Sequence, residues 1–272
     1  MHTDAMVDRV LANVQAGSGL VFSVFGVMHL SGHMLANLRY EYASSALYVL
    51  RNYYHTPLIE AVLVGGALAV HVASSTMRRA VRQEMQHRRK DVSLSGKADP
   101  KDNKADPKDN KAAAIVSLLP HSAESSASKA IRFRAWHRYA GYTLALFMLG
   151  HVGATRLVPL LVLPDASIVD LTMVTQTTVT YPGLFHVYYF ALGTAGLYHT
   201  LYGISAALGT FRIRIPRVAP KVWDRISLAM VMLMASTIMA LAGFYEPIFI
   251  PRAQLWNDLP SMLLAYLGGS WN

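Results

Sequence analysis

The chain has no cysteine and little charge: only 15% of its 272 residues are Asp, Glu, Lys or Arg. Without cysteine there is no disulfide framework, no cysteine-held iron–sulfur cluster and no thiolate haem ligation. Any bound metal must therefore rely on histidine. Soluble domains carry about 25% charged residues, so the shortfall, beside 53% hydrophobic residues, points to lipid as the solvent. Acidic residues are the scarcer sign, 16 against 25 Lys and Arg, for a formal charge of +9. A basic balance suits nucleic acid or a membrane, and the placement of the charges decides between them.

Five apolar stretches, Gly17–Leu38, Pro57–Met77, Tyr139–Leu160, Leu184–Thr210 and Val222–Tyr245, are each long enough to cross a hydrocarbon core, which takes roughly 20 helical residues. Tyr40, Tyr42, Tyr53, Tyr54, Trp136, Tyr139, Tyr181, Trp223 and Tyr245 cluster at their ends, as an interfacial aromatic belt requires. Pro57 and Pro182 stand where a helix start tolerates proline. The expected fold is an all-α integral membrane bundle of five transmembrane helices.

Four regions follow. Residues 1–90 hold an N-terminal segment and the first two spans; residues 91–130 form a charged loop; residues 131–245 hold the last three spans. Residues 246–272, which mix Trp256, Trp271, Met262, Leu263 and Leu264 with prolines, read as a segment lying along the interface. In the loop, Lys97–Asn103 (KADPKDN) is repeated at once as Lys104–Asn110. Dense charge without aromatics cannot bury enough apolar surface to fold alone, so a flexible linker is expected. The first fifteen residues lack the apolar core of a cleavable signal and the arginine-rich character of a transit peptide; organellar targeting would be internal.

With the N-terminal side called A and the opposite side B, 21 of the 25 Lys and Arg fall on side A, leaving Arg39, Arg51, Arg156 and Arg252 on side B. This positive-inside asymmetry places side A in the cytosol or the mitochondrial matrix. The basic excess is thus a topology signal, and nucleic acid drops out as a partner.

Of eleven histidines, seven lie in or at the edges of spans: His29, His33, His71, His137, His151, His186 and His199. Ionisable groups at membrane depth are costly and mark functional positions. One such histidine is explained by a hydrogen bond to a neighbouring helix; four helices with one each call for more. At 1.5 Å per residue, His29 and His151 lie about 18 Å from side A, and His71 and His199 about 8 Å. Two level pairs at two heights are how a helix bundle clamps two six-coordinate b-type haems. The metal ligands expected are therefore His29, His151, His71 and His199.

His33, one turn beyond His29, is the competing ligand on the first span. Level matching favours His29, and the unused ring would meet a propionate or line a pocket. His137 and His186, at span entrances, read as snorkelling interfacial residues. Glycines flank the candidate ligands, Gly150 and Gly153 around His151 and Gly193, Gly196 and Gly203 around His199. They make room for a flat macrocycle or simply let helices approach. Arg39, Arg78, Arg138 and Arg156 stand at span ends, where a guanidinium pairs with a propionate or snorkels. Ser18-Gly19 precedes His29 as Ala140-Gly141 precedes His151, each glycine ten residues ahead. A duplicated two-helix unit plus one extra helix would explain the echo.

Ser18-Gly19-x-x-Phe22-x-x-Phe25-x-x-x-His29-Leu30, Ala69-Val70-His71, Gly150-His151-Val152-x-x-Thr155-Arg156 and Leu197-Tyr198-His199-x-x-x-Gly203 resemble the cytochrome b membrane anchors of succinate dehydrogenase and fumarate reductase, in their five-helix, two-haem form. That resemblance implies pairing of His29 with His151 and of His71 with His199. It also implies quinone as electron partner, flavoprotein and iron–sulfur subunits docking on side A, and a respiratory complex II in the mitochondrial inner membrane with the N-terminus in the matrix, or in a bacterial cytoplasmic membrane. The chain would be a non-catalytic electron-transfer subunit. Glu60, in the first turn of the second span, would exchange a proton with quinone or complement the helix dipole.

Tyr53-x-x-x-Pro57-Leu58-Ile59-Glu60, leading to His71, and Trp136-His137-Arg138-Tyr139-x-Gly141-Tyr142, leading to His151, are similar to a second family. It is a haem-binding mitochondrial membrane family linked to lipid homeostasis and endoplasmic reticulum contacts. That resemblance implies an adaptor or lipid-homeostasis role without respiratory electron transfer, with the mitochondrial outer membrane also open. Together the two similarities span nearly all of the chain outside Lys97–Ser128.

Overall fold

The structure is a computed structural model and describes residues 2–95, 126–214, 216 and 218–269. The KADPKDN repeat lies outside the described residues. Among those described, every regular element is helical.

Helix α1, His2–Met34, closes through a tight turn at Leu35–Asn37. Helix α2, Tyr40–Tyr54, follows. Helix α3 starts at Pro57–Ile59, widens over Glu60–Gly66 and runs on as Ala67–Ser95. Helix α4 is Ser126–Val152, a wide turn at Gly153–Leu157 and a last stretch Val158–Val162. Then come α5, Leu171–Thr180, α6, Leu184–Thr210, α7, Pro220–Leu241, and α8, Ala253–Leu267. The first and third predicted spans are cores of longer helices, and both helices flanking the expected linker reach into it, to Ser95 and from Ser126.

Both wide turns have local causes. Pro159 has no amide hydrogen and its ring clashes with the carbonyl one turn back, breaking the i→i−4 ladder. Gly65 and Gly66 supply the looseness in α3.

Among the described residues, four helices are long and apolar enough to cross a membrane: Thr3–Asn37, Pro57–Asp91, Ile131–Val162 and Pro220–Leu241. The expected count of five is therefore corrected. Leu184–Thr210 is a helix of 27 residues, but Tyr188, Tyr189, His186, His199 and its glycines lower its hydropathy. It packs lengthwise between α1 and α4. A helix shielded by two neighbours needs less apolar surface than one bathed in lipid, which accounts for the difference.

The packing order is α3 on α1, α1 on α6 and α6 on α4, with α7 behind α6. Close approach is enforced by small residues: a Cβ on Gly193 would meet the Met234 thioether at 2.5 Å, and one on Gly32 would meet Leu47 at 2.7 Å. Ala36, Ala43, Leu47, Leu171, Val174, Met234 and Ile238 join the Leu35–Asn37 turn, α2, α5 and α7 in one buried cluster. Asn37 donates to Thr237 at 2.7 Å.

On side B, α8 caps the bundle. Trp256 and Leu259 pack with Val162, Leu163 and Met173, and Trp256 Nε1 donates to Thr172 Oγ1 at 3.1 Å. The segment expected to lie along the interface is thus partly held against α4 and α5. On side A, α1 and α3 continue together. Asp8 accepts from Arg78 at 3.0 Å and Arg82 at 2.8 Å, and Asp4 faces Arg88 at 3.5 Å.

Candidate functional site

A cavity of about 2020 Å³ runs between α1, α3, α4 and α6, from the Arg78–Arg82 end on side A to Val169–Val174 under the side B cap. His29, His33, His71, His137, His151 and His199 all line it. Among the described residues no three His, Asp or Glu side chains gather as a bare metal ion would need. The histidines come together in pairs.

The His29 and His151 ring centres are 6.0 Å apart with planes crossing at 71°. Those of His71 and His199 are also 6.0 Å apart, crossing at 89°. Two imidazoles on opposite sides of one metal ion, each bonded at about 2 Å, place their ring centres roughly 6 Å apart. Each pair thus has the spacing of an iron clamp. Each also takes one ring from α1 or α3 and one from α4 or α6.

The two halves match in detail. A Cβ on Gly19 would stand 2.9 Å from Nδ1 of His71, and one on Gly141 would stand 2.9 Å from Cε1 of His199. His71 Nδ1 donates to the carbonyl of Gln15 at 3.0 Å, and His199 Nδ1 donates to the carbonyl of His137 at 3.1 Å. Gln15 and His137 each stand four residues before the respective glycine. A carbonyl only accepts, so both rings carry their proton on Nδ1 and keep a lone pair on Nε2, the arrangement of metal-binding histidines.

At the other level, His33 Nδ1 donates to the His29 carbonyl at 2.8 Å and Thr155 Oγ1 donates to the His151 carbonyl at 2.7 Å. His33 therefore occupies in its half the place that Thr155 occupies in the other. Its ring lies beside His29, centres 4.6 Å apart, while it is the His29 ring that faces His151. Nδ1 of His29 and of His151 are buried with no hydrogen-bond partner. A buried polar atom left unpaired is rare and costly, and a metal bound at Nε2 would leave both of these as they are. The close-set glycines and the matched ring pairs fit two b-type haems.

The remaining candidates fall differently. Arg138 lines the cavity on side A with no carboxylate against it among the described residues. Arg156 is engaged elsewhere: its Nε and Nη2 each donate to a Glu60 carboxylate oxygen at 2.5 Å, joining α4 to α3. Glu60 so held is neither a bare dipole complement nor a free proton carrier. His137, expected at the interface, is stacked on His199 with centres 4.2 Å apart and planes within 6°. His186 does sit at a helix start, where its Nδ1 accepts from the Gly183 amide at 3.3 Å.

Sequence reasoning missed two residues. His55 lies 3.9 Å from Glu60; burial, then the nearby Arg156 guanidinium, pushes its pKa down to about 4. Tyr54, pushed up to about 12 by burial, presents its ring to Phe25 at 5.0 Å and to His29 at 6.4 Å. For His55 the sequence signal was adjacency to Pro57 at a span entrance; Tyr54 had been placed in the aromatic belt rather than at the site.

A family model described as MDM10-complementing protein 1, transmembrane domain, matches residues 146–246. The matched region holds His151, Arg156 and His199 together with α5, α6 and α7. No curated protein matches the chain, and no solved structure does.

Proposed function

We propose that this chain is a mitochondrial membrane protein that binds two b-type haems and acts in lipid homeostasis or organelle contact, outside respiratory electron transfer. The observation that carries the haem reading is the pair of imidazole couples, each 6.0 Å between ring centres. His29 and His151 would hold one iron; His71 and His199, oriented by the Gln15 and His137 carbonyls, would hold the other. Arg138 is positioned for a propionate near side A; Arg156, already paired, serves the fold instead. When bound, each haem supplies a one-electron centre with two strong-field nitrogen ligands.

The mitochondrial half of the proposal rests on the family similarity over residues 146–246 and on the local wording around Pro57 and Trp136. Nothing found supports a complex II anchor, so flavoprotein and iron–sulfur partners and quinone give way to the second reading. Membrane lipid is the partner that the exposed apolar helix faces support.

Two measurements test this. A pyridine haemochrome assay on the purified protein should give two haems per chain, and His151→Ala and His199→Ala should each remove one. A colourless wild-type protein, or one substitution removing both haems, contradicts the pairing. Succinate added to membranes should leave the haems oxidised; rapid reduction, with flavoprotein and iron–sulfur chains co-purifying, would restore the respiratory reading.

A further inference from the structure

The cavity is walled unequally. On α1, every residue that lines it is at least half-buried. Along α3 and α4 the situation differs: Val72, Thr76 and Arg79 on α3, and Tyr142, Ala145 and Leu149 on α4, both line the cavity and are exposed on the outer surface. α3 packs on α1 and α4 packs on α6, but α3 and α4 make no extended packing contact with each other. The side wall facing the bilayer is therefore a cleft.

Two polar bridges cross it. Towards side A, Arg79 Nη1 donates to the Tyr142 hydroxyl at 2.5 Å. Towards side B, Arg156 grips Glu60 through both carboxylate oxygens. Tyr142 and Arg156 stand about 21 Å apart along α4, bracketing the cavity. Between them the cleft is lined by Leu68 and Val72 on one side and Ala145, Met148 and Leu149 on the other, side chains that lipid tails or a porphyrin edge wet equally well. Both members of the side B bridge sit in the wide turns, Glu60–Gly66 and Gly153–Leu157. There the regular ladder is already broken, and wide turns of this kind recur at functional sites.

We propose that the cleft between α3 and α4 is a bilayer-facing portal that admits haem sideways from the lipid to the histidine pairs, and that the Glu60–Arg156 and Arg79–Tyr142 bridges latch it. The occupant follows from where the cleft leads: both of its walls open onto imidazole couples at iron-clamping separation. An amphipathic macrocycle partitions into the bilayer, and a lateral slot spares it a passage through the charged side A face. The proposal rests on the two-haem reading and makes a separate claim about the route.

The absence of cysteine makes the test clean. Val72→Cys and Ala145→Cys, about 18 and 16 Å along their helices from the Glu60–Arg156 bridge, are introduced together and joined with a reductant-cleavable bis-maleimide in apo-protein reconstituted in nanodiscs. Hemin is then added and the Soret band followed. The joined protein should load roughly tenfold or more slowly than the unjoined one, and cleaving the linker should restore the rate. Each single-cysteine variant treated with the reagent should load normally. Tyr142→Phe, which removes one latch oxygen and no ligand, should load faster than wild type. Equal rates for joined and unjoined protein, with both taking up haem, overturn the portal and leave the two-haem reading intact. Failure of every form, wild type included, to take up haem sinks both.

Discussion

Gly19 and Gly141 are the residues at which the site tolerates least. In each case the atom that a methyl group would meet at 2.9 Å belongs to an imidazole already fixed by a hydrogen bond to a main-chain carbonyl, so it cannot swing aside as a long aliphatic tip would. Gly19→Ala and Gly141→Ala should each push a ring off its carbonyl, at an overpacking cost of about 1–3 kcal/mol. The expected outcome is loss of the haem held by His71 and His199 while the other remains, read as a halved haemochrome yield with unchanged helical circular dichroism. Full haem content in both variants would detach the glycines from the site. His55 gives a pH-dependent counterpart. Its pKa is held near 4 in the folded chain, below the ordinary value near 6.5, so the unfolded state binds the extra proton. Its contribution to stability is whole above pH 6.5 and is lost as pH falls towards 4. The melting temperature should drop across that window, and His55→Gln should flatten the drop; an unchanged slope would contradict the burial argument. At this scale the levels at which the histidines pair were legible because helical rise per residue is fixed. Helix rotation is not written in rise. Hence His33 turns back onto the His29 carbonyl, and His137, expected to snorkel, lies flat on His199.

Among the elements, α3 and α4 share a feature that hydrophobic patterning does not reveal. Each contains a wide turn, and the two turns carry the partners of one ion pair, Glu60 and Arg156. Their side chains are 28% and 23% exposed, between the surface pairs that contribute about 0–1 kcal/mol and the buried ones whose breakage costs about 3–5 kcal/mol. Glu60→Gln and Arg156→Gln should therefore each destabilise by about 2 kcal/mol. The double variant should cost less than the sum, because neither charge is then left alone in a partly desolvated site. Thermal melts of the four proteins in one detergent measure the coupling, and strict additivity would show that the two groups do not sense each other. The propionate role expected for Arg156 came from its place at a span end; which guanidinium is already occupied depends on a contact 96 residues away in sequence. Leu184–Thr210, the fourth predicted span, likewise turns on distant contacts. A hydropathy profile scores α6 as though lipid surrounded it, whereas α1 and α4 cover its flanks.

For the molecule as a whole, the two-helix unit foreshadowed by the Gly19–His29 and Gly141–His151 spacing is repeated in three dimensions down to the carbonyls that orient the rings. α1 and α3 form one unit, α4 and α6 the other, and neither holds a complete histidine couple. His29 and His71 share the first unit but lie at different levels; His151 and His199 share the second in the same way. Each couple forms only across the boundary between units. The chain crosses that boundary once, between Ser95 and Ser126, the described ends of α3 and α4. Severing it there should separate the ligands without deleting any of them. Residues 1–95 and 126–272, expressed alone, should each insert into membranes yet show no low-spin haem spectrum, since a single imidazole leaves one axial position open. Expressed together, they should reassemble through the α1–α6 face and recover both haems, and His151→Ala in the second fragment should again remove only one. A fragment that binds a six-coordinate haem by itself would mean that the ligands pair within a unit. In that case the matched couples across the cavity, and the duplicated architecture that produces them, would have to be abandoned.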